Sequence, residues 1–197
     1  MLDHRSFFVR ERVAFLKFSD VYDILDPATQ AQIGIAQEKA PGWVHVLRFL
    51  INKSFLPTTV TLYRGADPGV EGQRLFAIER GFSFLRKRIN VVDAQGLVVG
   101  KLVSKVFSLG GAFFVQDAQG SQVAMVQGDW KGWNFTFKDN AGKELGKITK
   151  KWAGIGKELF TSADNYMISL EEGQSEKNTL LLLAAGLAID TVFKENR

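Results

Sequence analysis

The sequence contains no cysteine. That excludes disulfides, thiolate zinc sites, iron–sulfur clusters and cysteine nucleophiles together. It has two histidines, His4 and His45, too few for a multi-histidine metal site. Four prolines leave no Pro-rich linker. The longest apolar run, Leu180–Ile189, is ten residues and is stopped by Asp190. A spanning helix needs about 20 apolar residues, so this run predicts a buried core helix. The opening Met1-Leu2-Asp3-His4-Arg5 lacks a signal-peptide core, Leu2 excludes N-myristoylation, and no prenylation box ends the chain. Enzyme motifs are missing too. No Gly-x-Ser-x-Gly elbow occurs, Gly154-Ile155-Gly156 lacks the third glycine of a dinucleotide loop, and Glu158 after Gly156-Lys157 breaks a phosphate-binding loop. The expectation is a protein that is not an enzyme and needs no cofactor.

What the chain does have is 197 residues, 46% of them hydrophobic and 23% charged. That suits one folded domain over residues 1–197 rather than a disordered chain. It carries 16 Phe but only 3 Tyr, and 19 Gly, which fits apolar strands joined by many tight turns. Three segments repeat one pattern: an apolar strand, an Asp-x-x-Gly turn and a return strand. The turns are Asp93–Gly96, Asp117–Gly120 and Asp139–Gly142. Asp bonds its own backbone in such turns and Gly supplies positive φ, so each reads as a hairpin. A looser copy follows Tyr22-Asp23-Ile24-Leu25 at Asp26-Pro27, with Thr29 at the glycine position. The Asp spacings of 24 and 22 residues are too short for propeller blades of about 40–50. A meandering sheet or barrel remains.

Two helices are expected among these strands. One is a short amphipathic helix near residues 42–53, with His45, Arg48 and Asn52 on one face and Trp43, Val46, Leu47, Leu50 and Ile51 on the other. The second spans about 175–194, with Ser175 as N-cap and Glu176 complementing the dipole. Its middle is apolar on every side, so it must be buried all round. A closed barrel threaded by this helix satisfies both features.

Charge is uneven along the chain. Residues 86–158 hold 12 Lys/Arg against 6 Asp/Glu, while residues 159–197 hold 3 against 6. A basic middle can attract phosphate head groups or nucleic acid. Trp130-Lys131-Gly132-Trp133 and Lys150-Lys151-Trp152 interleave cations and aromatics as base-stacking surfaces do. A protein-interaction or nucleic-acid-binding barrel without lipid activity is therefore the alternative reading.

The stretch Gly146-Lys147-Ile148-Thr149-Lys150-Lys151-Trp152-Ala153-Gly154, continuing to Glu158-Leu159-Phe160-Thr161-Ser162-Ala163-Asp164-Asn165-Tyr166-Met167-Ile168, resembles the signature of the phospholipid scramblase family. Lys150, Trp152, Gly154, Asp164 and Asn165 fall on it, and Asp190 matches the family's terminal-helix aspartate. The chain is also similar to the LURP-one-related proteins. The resemblance implies a tubby-like fold, twelve strands closed around a hydrophobic C-terminal helix. It also implies a cytoplasmic, peripherally membrane-associated monomer that binds phospholipid, with a role in phospholipid scrambling and anionic phospholipid as partner.

The chain departs from that family in three ways. It lacks the cysteines of the palmitoylated loops and the Pro-rich N-terminal extension. Trp43, Leu47, Leu50, Phe82, Phe84, Arg86, Lys87 and Arg88 are the expected replacements for the lipid anchors, since apolar residues flanked by cations suit an anionic interface. The calcium loop is also degenerate. Its first position is Ser162, its third Asp164 and its twelfth Gly173, with Glu171 and Glu172 as substitutes near the close. Calcium affinity follows carboxylate number, so binding no tighter than about millimolar is expected.

Overall fold

A strand with one buried face alternates apolar and polar residues, and Asn134–Lys138 does so: Phe135 and Phe137 are buried while Asn134 is exposed. In a computed structural model, residues 1–12, 20–47, 56–70, 72–81, 88–105, 112–129, 133–150 and 165–189 are described. They form β1 (Ser6–Glu11), β2 (Val21–Leu25), β3 (Gln32–Lys39), α1 (Gly42–Leu47), β4 (Thr58–Arg64), β5 (Arg74–Arg80) and β6 (Arg88–Asp93). There follow β7 (Val98–Ser104), β8 (Ala112–Asp117), β9 (Gln122–Asp129), β10 (Asn134–Lys138), β11 (Glu144–Thr149), β12 (Tyr166–Leu170) and α2 (Glu176–Ala188). Each strand pairs antiparallel with the next, and β1 closes the barrel against β12 from Ser6↔Ser169 to Val9↔Tyr166. The mainly β, twelve-stranded closed barrel expected from the sequence is the observed architecture.

An up-and-down barrel places its connections alternately at two ends. The β2–β3, β4–β5, β6–β7, β8–β9 and β10–β11 connections lie at one end, here the hairpin end, together with the β12–α2 connection. The β1–β2, β3–β4, β5–β6, β7–β8, β9–β10 and β11–β12 connections lie at the other, the loop end, where α1 also belongs.

The three Asp-x-x-Gly turns are built alike. Asp93 Oδ1 accepts from the backbone of Gln95 at 3.0 Å and Leu97 at 2.9 Å, and Gly96 takes φ 84. Asp117 and Asp139 repeat both bonds. The fourth copy is one residue longer than the sequence pattern suggests. Asp26 N donates to Ala31 O, and the left-handed position falls on Gln30, φ 59, not on Thr29. Ala28 N–H bonds Asp26 Oδ1 just as Gln95 N–H bonds Asp93 Oδ1, but Asp26 O accepts from Gln30 N, four residues on, where Asp93 O accepts from Gly96 N, three residues on.

Helix α2 enters the barrel from the hairpin end. Ser175 caps it, accepting from Asn178 N at 3.2 Å. The Arg5 guanidinium ties its first turn to the N-terminal segment through Thr179 Oγ1 at 3.4 Å and Gln174 O at 3.5 Å. From Leu181 to Ile189 every residue is buried. The helix packs on β5, β8, β9 and β12, on opposite sides of the ring. It is defined to Ala188, with Ile189 as C-cap, and the expected continuation to 194 lies outside the described residues. Likewise α1 is defined over Gly42–Leu47, and 48–53 lies outside them. Gly186 lets the helix approach the wall, because a methyl group there would stand 2.5 Å from Ile168 Cδ1. Burying each of Leu181, Leu182, Leu183 and Leu187 stabilises the fold by about 1.5–3 kcal/mol.

One ionic cluster reinforces the β1–β2–β3 wall. Asp23 on β2 is buried and accepts from Arg10 Nη2 at 3.0 Å, Arg12 Nε at 2.8 Å and Gln32 Nε2 at 3.0 Å. Burial by itself raises the Asp23 pKa, but the bonds from Arg12 and Arg10 outweigh it, and the carboxyl sits below its ordinary 3.8.

Two outcomes are expected. Leu183→Asp places an unpaired charge inside the barrel and should destabilise by more than about 3 kcal/mol in urea unfolding, or abolish folding. Asp23→Asn should cost about 1–3 kcal/mol at neutral pH. A depressed folded pKa gives stability that is complete above the unfolded value and lost as pH falls toward the folded one. The gap in urea midpoint between wild type and Asp23→Asn should therefore hold at neutral pH and narrow below about pH 3.8.

Candidate functional site

The residues singled out from sequence divide between the two ends of the barrel. Trp43 stands on α1 at the loop end and is 48% exposed, the one large apolar side chain so exposed among the described residues of that end. Leu47 closes α1. Arg88 opens β6 at the same end and points outward, since Ile89 beside it faces the core. Leu50, Phe82, Phe84, Arg86 and Lys87 lie outside the described residues, in the β3–β4 and β5–β6 connections. The described candidates, Trp43, Leu47 and Arg88, stand at one end.

That end differs in composition from the other. The six loop-end connections contain eleven Lys/Arg, three Asp/Glu and twelve Phe or Trp, including all four tryptophans. The six hairpin-end connections contain one Lys, six Asp/Glu and no aromatic residue. No single segment of sequence carries this contrast. It appears only when alternate connections are sorted by end.

Of the six signature residues singled out, Lys150 and Asn165 are described; Trp152, Gly154, Asp164 and Asp190 lie outside the described residues. Lys150 follows β11 and holds its ammonium 4.5 Å over the Trp133 ring. Trp133 in turn packs edge-on to Phe135 at 6.1 Å and against Tyr166 at 5.3 Å. It is only 6% exposed, so it is a core residue rather than a stacking surface for bases. Thr149 Oγ1 donates to Asn134 Oδ1 at 2.9 Å beside it. Asn165 is buried at the start of β12. The motif's Gly146 faces Ser169 O so closely that a Cβ would collide with it. These described signature positions build the β10–β11–β12 wall.

The twelve positions from Ser162 to Gly173 do not form one loop. Positions five to nine are strand β12, Tyr166–Leu170. Asn165 therefore stands at the loop end, and Glu171 and Glu172 at the hairpin end, about 20 Å away at 3.3 Å per residue. Calcium ligands all lie within about 2.6 Å of the ion, so no single ion spans that strand. Glu172 instead approaches Arg5 Nε at 3.7 Å. Among the described residues no group of three or more His, Asp or Glu side chains is placed to hold a metal.

Sequence reading missed a polar row on the outer wall. Glu79, Asn90, Lys101 and Gln116 lie directly opposite one another across β5, β6, β7 and β8. They come from four separate strands, so only the register brings them together. Among the described residues no helix is long and apolar enough to cross a membrane.

No solved structure matches the chain. A phospholipid scramblase family protein of the fission yeast Schizosaccharomyces pombe is 24% identical over 140 residues. The match covers 63% of this chain and 36% of the yeast protein, so the chain spans little more than a third of that relative's length. The Scramblase family model matches residues 68–196, from the β4–β5 connection through α2. With the motif-bearing wall and the central helix inside that match, the chain belongs to the scramblase family.

Proposed function

We propose that the chain is a membrane-associated phospholipid-binding domain of the scramblase family that docks end-on, loop end first, on anionic phospholipid surfaces. The contrast between the two ends carries this reading. Trp and Phe favour the membrane interface, and each Lys or Arg near an anionic surface adds about 1 kcal/mol of attraction. The acidic hairpin end is repelled by the same surface, so the barrel is oriented as well as attracted. Trp43, Leu47, Leu50, Phe82 and Phe84 supply apolar contact in this reading, and Arg86, Lys87 and Arg88 supply charge.

The domain carries no bond-breaking chemistry in this reading, acts as a monomer and sits on the cytoplasmic face of a membrane. The helix fills the barrel with Leu, Ala and Ile. An interior lined by such side chains disfavours a polar head group, so in this reading any part in scrambling uses the exterior. The nucleic-acid alternative loses Trp133, which the core occupies.

Flotation of the full chain with vesicles tests the docking. It should bind vesicles containing phosphatidylserine and not neutral phosphatidylcholine vesicles, and binding should fall as salt rises. Arg86→Glu with Lys87→Glu should weaken anionic-vesicle binding by about two to three orders of magnitude, at roughly 1 kcal/mol per charge removed and again per charge reversed. Unchanged binding in that variant, or preference for a single-stranded oligonucleotide over the vesicles, refutes the reading. Calorimetry with calcium should give a Kd no tighter than about millimolar, and Asp164→Ala should leave it unchanged. Micromolar binding lost in Asp164→Ala would overturn the view that the twelve-residue segment holds no working site.

A further inference from the structure

The outer wall of β1 and β2 carries a charged cluster whose charges do not cancel. It lies ahead of residues 68–196, the stretch that the Scramblase model matches. Arg10 stands directly opposite Asp23 across the two strands, and Arg12 follows two residues on, on the same face. Arg10 Nη2 bonds Asp23 Oδ2 at 3.0 Å, and Arg12 bonds Oδ1 through Nε at 2.8 Å and Nη2 at 2.6 Å. Gln32 Nε2 reaches Oδ1 as well, at 3.0 Å. An ionised carboxylate has about four acceptor positions, and these donors take them all. Asp23 is saturated.

The two arginines are not. No bond within the described residues uses Arg10 Nε and Nη1 or Arg12 Nη1. Among the described residues no second carboxylate pairs with either side chain. Two guanidiniums against one carboxylate leave a net charge of one positive unit. Burial separates the signs: the Asp23 side chain is 4% exposed, while Arg10 and Arg12 are 46% and 48% exposed. The negative part therefore lies inside the wall and the positive part faces out. A free surface arginine loses much of its rotamer freedom when it binds a ligand. Here Asp23 and Gln32 have already fixed both forks in one relation to each other.

The charge and the shape define the ligand. A planar guanidinium fork matches the planar carboxylate, and one carboxylate cancels the excess charge. A nucleic acid needs a row of cations along its phosphates, and this cluster offers a single uncancelled charge. Small ligands are largely enclosed in clefts, whereas these forks stand half in solvent on the outside of a barrel. The carboxylate is therefore one presented by a larger body. We infer that Arg10 and Arg12, held by Asp23, form a docking site for an Asp or Glu side chain in an acidic segment of a partner protein. The site does not depend on the membrane docking proposed above.

Titration of the isotope-labelled full chain with a Glu-rich peptide, ends blocked, tests this through the arginine side-chain Nε–H signals in NMR. Those of Arg10 and Arg12 should shift with the Glu peptide and not with its Gln counterpart. Arg10→Lys with Arg12→Lys keeps both charges beside Asp23 but removes the forks. It should weaken peptide binding at least about tenfold and leave flotation on phosphatidylserine vesicles unchanged. Arg10→Gln alone leaves Asp23 with Arg12 and Gln32, so it should keep the fold and also weaken the peptide. No shift at the two arginines, or equal peptide binding by the double-lysine variant, would overturn the inference. Tighter binding of inorganic phosphate or of a single-stranded oligonucleotide at these arginines would overturn the carboxylate assignment. Self-association in sedimentation, lost in the double-lysine variant, would make a second copy the occupant and overturn the partner assignment. Loss of flotation in that variant would place the arginines in the membrane face and overturn it too. Failure of wild-type docking on vesicles leaves the peptide titration untouched, so the two readings fail separately.

Discussion

The structure depends on one burial: an apolar helix inside a closed sheet. Twelve strands enclose more volume than their inward side chains can fill. Leu181–Ile189 occupies that space and gives Phe7, Ile78, Val115, Phe135 and Ile168 something to pack against. Conversely, a helix with no polar face has no stable place in water except such an enclosure. Neither part is stable alone, so the barrel and the helix form one cooperative unit. Gly186 sets how near they come, and Arg5 with Ser175 fixes where the helix enters.

Filling the interior moves any binding chemistry to the surface. The described buried polar side chains mostly serve the wall, as Asp23 does with Arg10 and Arg12 and as Glu38 does with Thr58 Oγ1 at 2.7 Å. The two ends and the outer face remain. Alternation of connections lets one end become basic and aromatic while the other becomes acidic and turn-rich. The strands themselves need not change for this, because their inward positions are fixed by the core and their ends are set by the turns.

Much of the architecture was legible in the sequence because it rests on local signals. The Asp-x-x-Gly hairpins announce themselves in four residues, and the Phe135–Phe137 alternation and the all-apolar run at Leu180–Ile189 need no long-range information. The fourth turn was read one residue short because Pro27 and Gln30 replace the usual pattern with a different reversal. The site was less legible. Trp133 looked available for stacking by composition, and only the fold puts it beneath Lys150 and beside Tyr166. Glu171 and Glu172 looked close to Asp164 along the chain, yet an extended strand separates residues efficiently, and β12 carries them to the opposite end from Asn165. The row from Glu79 to Gln116 depends on register across four strands, and no local pattern encodes register.

Closure of the ring by β1 on β12 also governs how the chain is made. The first strand waits for a partner that lies about 160 residues later in the sequence, at Tyr166–Ser169, and the core waits further, for Leu181–Ile189. During synthesis the early hairpins can form, but their inward faces have nothing to cover them until the helix has left the ribosome. Folding to the final state is therefore dominated by contacts distant in sequence and slow for a chain of this size. The nascent meander, with Phe and Val on one face and two unpaired edges, is the form of this protein most exposed to misassembly.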